Sequence, residues 1–104
     1  MKKYIKVLDT DYEFIQNAEI DGDGTCNFYQ KEIQIRPLSM MLEDNPNICA
    51  KEKRYKEVLR HELIHAFLFE CGLETISYNE TVVDFFAIQY PKLKELFERV
   101  NVDG

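Results

Sequence analysis

The spacing of hydrophobic and polar residues changes near the middle of the chain. In the first third, apolar residues alternate with polar ones over short runs bounded by turn residues. Residues 4–8 (Tyr-Ile-Lys-Val-Leu) are β-rich, Asp9-Thr10-Asp11 can reverse the chain, and 12–15 return as a second strand. Asp21-Gly22-Asp23-Gly24 reads as a hairpin turn. Residues 25–29 and 32–36 then form a second predicted hairpin, with Ile33 and Ile35 alternating as a half-buried strand does. Pro37 ends it, and 38–47 is an irregular connection. From there the period becomes helical. A long helix is predicted from about 47–50 to 71, with Gly72 as its stop, and its stretch 63–69 is apolar nearly all round and expected to be deeply buried. Residues 73–77 read as a loop and Ser77-x-x-Glu80 as the opening of a helix through Tyr90. Pro91 is expected to break that helix. A last amphipathic helix over 91–100 would turn Leu93, Leu96, Phe97 and Val100 inward. Strands first and helices afterwards is an α+β order.

At 104 residues the chain is expected to be a single domain, 1–104. The net charge of −6, without a Lys/Arg-rich block, argues against a nucleic-acid partner. No apolar run reaches the roughly 18 residues of a bilayer span, so no membrane partner is expected. Lys6, Asp9 and Asp11 interrupt any signal-peptide core, which leads to the expectation of a cytoplasmic location. Three cysteines, Cys26, Cys49 and Cys71, form no CxxC pair and read as free thiols of a reducing compartment.

The informative segment is His61-Glu62-Leu63-Ile64-His65, an H-E-x-x-H on a predicted helix that holds both histidines of the chain. Spacing of i, i+4 puts the two imidazoles on one face, where both reach one ion at about 2.0–2.1 Å, the usual zinc distance. Glu62 projects beside that face and is the candidate general base. With no third histidine, the third ligand must be a carboxylate or a thiolate. Glu70 and Cys71 lie too far round the helix, and the pattern does not place Cys26 or Cys49. Glu80 and Asp84 share a face of the next helix. An antiparallel return would bring Glu80 to the ion as third ligand and Asp84 behind a ligand histidine as hydrogen-bond acceptor. The competing readings are Glu80 in a capping box with Ser77 and Asp84 as the direct ligand. Tyr78 is the first choice to stabilise an oxyanion, with Tyr90 and Tyr29 behind it. Arg60 reads as part of a solvated face.

His-Glu-Leu-Ile-His followed by Asn79-Glu80-x-x-x-Asp84 resembles the gluzincin pattern. The layout from about Tyr4 to Phe97 resembles the small phage- and prophage-type zinc metallopeptidase-like proteins, relatives of the ImmA/IrrE group. That resemblance implies a compact zincin-like fold, a Zn2+ cofactor, and hydrolysis of a peptide or protein substrate by a metalloendopeptidase. Gluzincins commonly add a histidine beyond the motif for the oxyanion, and this chain has none left. The alternatives are a zinc-stabilised interaction or regulatory module without turnover, and a metal-free domain with structural histidines.

Overall fold

Four strands and three helices make up the chain in a computed structural model that describes residues 1–104. The strands are β1 (Lys3–Val7), β2 (Thr10–Gln16), β3 (Gly24–Asn27) and β4 (Glu32–Ile35), in the spatial order β1-β2-β4-β3. β1/β2 and β3/β4 pair antiparallel, as the alternation predicts. Their junction departs from two simple hairpins, because β2 and β4 run parallel, with Phe14 opposite Ile33. The segment around Asp21–Gly24 is therefore a crossover connection to the outer strand and not a hairpin turn. It takes the left-handed φ of +85° at Gly22, which a glycine tolerates without strain. The chain is α+β, a four-stranded sheet with helices on one face.

α1 (Ile48–Glu70) starts where Asn47 accepts hydrogen bonds from the amides of Cys49 and Ala50. It ends in a Schellman motif. Gly72, at φ +84°, donates to Phe69 O, and Leu73 donates to Leu68 O. The core lies between this helix and the sheet. Tyr12, Ile33, Ile35 and Met41 are fully buried against Val58 and Ala66. At the far end of α1, Glu70 accepts from Thr10 Oγ1 (2.8 Å), Tyr12 OH (2.6 Å) and Lys31 Nζ (2.7 Å), tying the helix to β1–β2 and to the β3–β4 turn. Burial along 63–69 is less complete than its composition suggests. Ala66 is buried but Phe67 is 48% exposed, because the sheet covers one side of the helix only.

Residues expected as a loop contain the single-turn α2 (Glu74–Ser77), and α3 (Glu80–Arg99) follows. Asn79 caps α3 by accepting from Val82 N, and the Ser77 hydroxyl donates to Glu74 O, so the Ser77–Glu80 capping box does not form. Pro91 does not break the helix. A proline has no N–H to give the carbonyl four residues back, here that of Ala87. Arg60 Nε, from α1, donates to Ala87 O at 2.8 Å and replaces the lost bond. Arg60 is thus a structural clamp and not one more solvated charge. The unbroken helix runs on beyond the cover of α1, and Leu96, Phe97 and Val100, expected inward, are 48, 40 and 58% exposed. No helix is long and apolar enough to cross a membrane.

Candidate metal centre

His61 and His65 lie one turn apart on α1, with ring centroids 4.7 Å apart and Nε2 atoms 3.0 Å apart. Glu80, the first residue of α3, faces them across the α1–α3 crossing. Its Oε2 is 3.0 Å from His61 Nε2 and its Oε1 is 2.9 Å from His65 Nε2. The far nitrogens are held as well. His65 Nδ1 lies 2.5 Å from the backbone oxygen of Ser77, which can only accept, so Nδ1 carries the proton. His61 Nδ1 lies 2.7 Å from Asp84 Oδ1 and donates to it in the same way. In the neutral rings both Nε2 atoms are then bare lone pairs. Two imidazole nitrogens and a carboxylate converge on one point, where either a metal ion or a second ring proton would balance them. His61, His65 and Glu80 could hold a metal ion, their donor atoms all lying within 4.8 Å of one another. The donor set suits zinc, which takes imidazole and carboxylate ligands in sites that leave a position open.

Glu62 is only 6% exposed, yet its carboxylate has no protein hydrogen-bond or ion-pair partner. Burial pushes it up to about 7. The neighbouring His61 opposes that shift, and the negative charges of Glu80 and Asp84 add to it. Room for this carboxylate comes from Gly24 at the start of β3. A Cβ there would sit 2.8 Å from Val58 Cγ1 and 3.1 Å from Glu62 Cγ and Oε2. His61 and Glu62 form the floor of a cleft between β3 and α3. One half, of about 260 Å³, is lined by Gly24, Thr25, Cys26, Phe28, His65, Tyr78 and Glu80. The other is lined by Asp23, Arg54, Glu57, Asp84 and Ile88. β3 is the outer strand, and Asp23 O, just before it, accepts from Arg36 N, just past the end of β4. Strict antiparallel alternation then turns the backbone N–H and C=O groups of Gly24 and Cys26 toward the open edge beside the cleft.

The remaining sequence candidates separate by place. Tyr78 lines the cleft, 54% exposed, edge-on to Phe28 at 5.3 Å. The neighbouring Tyr29 raises its pKa. Tyr90 lines a groove on the other side of α3, with Leu63, Ile64 and Phe67, and does not reach the histidines. The Cys26 thiol borders the cleft outside the ligand group. Burial, with Glu62 adding, pushes it up to about 12, so it is no thiolate. Cys49 and Cys71 are exposed, and Glu70 is engaged with the sheet. The sequence reading missed Gly24 and the Ser77 carbonyl. A glycine opening a strand is a signal for close backbone approach, whereas nothing in the residue type marks a carbonyl.

Comparison of the chain with protein-family models, with curated proteins and with solved structures returns no match.

Proposed function

We propose that the chain is a zinc-dependent metalloendopeptidase with a compact zincin-like arrangement, hydrolysing a peptide bond in a peptide or protein substrate. The observation that carries this reading is the pairing of a three-ligand cluster with an unpartnered, buried carboxylate. The cluster has fixed tautomers, and Glu62 sits beside it and coordinates nothing. Zinc bound there would supply a Lewis acid and a lowered water pKa. Glu62 takes the proton of the attacking water as oxygen adds to the scissile carbonyl carbon. It returns that proton to the amine nitrogen as the C–N bond breaks. The free edge of β3 aligns an extended substrate through the backbone groups of Gly24 and Cys26. Tyr78, on the lining of the cleft, is the donor assigned to the oxyanion.

A zinc-holding interaction module without turnover is the second reading, favoured by the absence of any histidine beyond the two in the cluster to meet an oxyanion. The deciding experiment digests a proteome-derived peptide library with zinc-loaded wild type and Glu62→Gln. Hydrolysis predicts cleavage by wild type and a loss of about 10²–10⁴-fold in the variant, with zinc retained in both. Equal cleavage by both removes Glu62 as base. No cleavage by either, with zinc bound, selects the interaction module.

A further inference from the structure

α3 carries a second pattern that the metal centre does not use. Val82, Phe86, Gln89, Leu93, Leu96 and Val100 succeed one another at steps of four, three, four, three and four residues. Such alternation draws a single seam along a helix, the spacing by which two helices pack side by side. α3 meets α1 through a different face, where Val83 and Ala87 are buried. It presents Glu80 and Asp84 to the histidines from a third. The seam is open at Phe86, Leu96 and Val100 and partly buried at Val82, Gln89 and Leu93. Phe86, Leu96 and Val100 are 42, 48 and 58% exposed, and Phe85 and Phe97 beside them are 58 and 40% exposed.

We propose that this seam is a homodimer interface, in which the α3 helices of two copies pair antiparallel about a two-fold axis level with Pro91. The steps read the same from either end. Reversal therefore superposes the seam on itself and sets Val82 opposite Val100, Phe86 opposite Leu96 and Gln89 opposite Leu93 of the second copy. A two-fold interface requires this self-complementarity, and the seam meets that requirement. Antiparallel pairing also opposes the two helix dipoles and matches each large Phe86 with a smaller Leu96. At roughly 100 Å² for each of the five exposed side chains, two copies bury about 1,000 Å² before any polar rim, which is the scale of a specific interface. The gain matters here, because only 13 of the 104 residues are buried within one chain. Glu80, Asp84 and the cleft remain open, since they occupy another side of the helix.

Sedimentation of the full chain, metal-loaded and with chelator, tests this. The expected result is a species of twice the chain mass in both conditions. Phe86→Glu and Leu96→Glu, each at an exposed position, should reduce it to the chain mass with an unchanged far-ultraviolet dichroism spectrum. Orientation is read by disulfide capture, with exposed Cys49 and Cys71 replaced by Ser. An equimolar mixture of Gln89→Cys and Leu93→Cys should link 89 to 93, whereas Leu93→Cys alone should not link to itself. A monomeric wild type, or a dimer indifferent to both Glu substitutions, overturns the interface. Self-linking of Leu93→Cys overturns the antiparallel arrangement.

Discussion

Replacing Arg60 by Met should destabilise the chain in a way that depends on a residue far along the sequence, Pro91. Met keeps the apolar stem and removes the guanidinium. The carbonyl of Ala87, a residue 1% exposed, then loses the donor that reaches it at 2.8 Å, and Pro91 cannot supply another. Leaving a buried acceptor unpaired costs about 1–3 kcal/mol. For a domain of this size, 1 kcal/mol moves Tm by about 4–8 °C, so Arg60→Met should melt roughly 5–20 °C lower. Pro91→Ala restores an N–H to the helix and hence a partner to the same carbonyl. In that background Arg60→Met should cost much less, leaving a coupling energy of about 1 kcal/mol or more. Urea unfolding of wild type, both single variants and the double variant, with a chelator present to remove metal linkage, measures the cycle. If Arg60→Met costs the same in the wild-type background as in the Pro91→Ala background, to within about 0.5 kcal/mol, Arg60 does not compensate the proline and the explanation for the unbroken helix fails.

Three further outcomes are expected. Elemental analysis should find about one zinc per chain, lost in His61→Ala and His65→Ala and strongly weakened in Glu80→Gln, while Asp84→Asn costs roughly 10–100-fold in affinity. A larger loss from Asp84→Asn than from Glu80→Gln would reverse their roles. Gly24→Ala should press on Val58 at 2.8 Å and on Glu62 at 3.1 Å, lowering stability and reducing hydrolysis more than zinc affinity; equal losses of hydrolysis and zinc affinity would show a disturbed fold instead. Lys31, Tyr12 and Thr10 together hold the Glu70 carboxyl below the usual carboxylate range. Its contribution to stability is therefore present above the unfolded value of about 4.3 and lost as pH falls through the lowered one. Glu70→Gln should flatten the acid limb of a plot of urea midpoint against pH, and an unchanged slope would remove Glu70 from that limb.

The parts legible in the sequence were those that local spacing determines. His61 and His65 share a face because they are four residues apart on one helix, and Glu80 and Asp84 do so for the same reason. What brings the two pairs together is a short return between antiparallel helices, also visible as Gly72 and the turn after it. The misreadings share a different cause. Pro91 ends a helix by local rule, and the exception depends on Arg60, thirty-one positions earlier. The parallel pairing of β2 with β4 is invisible because each strand alternates correctly whichever neighbour it takes. Leu96 and Val100 mark an apolar stripe, but a stripe carries no sign of whether its cover belongs to the same chain. The closeness of Gly24 to Glu62 arises from sheet-on-helix packing, which no window of sequence contains.

The position of His61, His65 and Glu80 along the chain would give an ion held there a structural role as well. Two come from α1 and the third from the start of α3, and the segment between them includes α2, whose Ser77 carbonyl also holds His65. An ion bound to all three would act as a reversible cross-link, fastening α3 to a molecule whose own interior is small. In the apo form that helix is kept by its packing on α1, the Arg60 clamp and the contacts of Glu80 and Asp84 with the two histidines, and opening at the α1–α3 crossing would release the exposed segment 71–79 from its one buried anchor, Ser77. The lifetime of the polypeptide would then track free zinc through the binding equilibrium, by RT ln(1 + [Zn]/Kd). On that account such a centre would make the persistence of the protein follow metal supply, and starvation for zinc would shorten it.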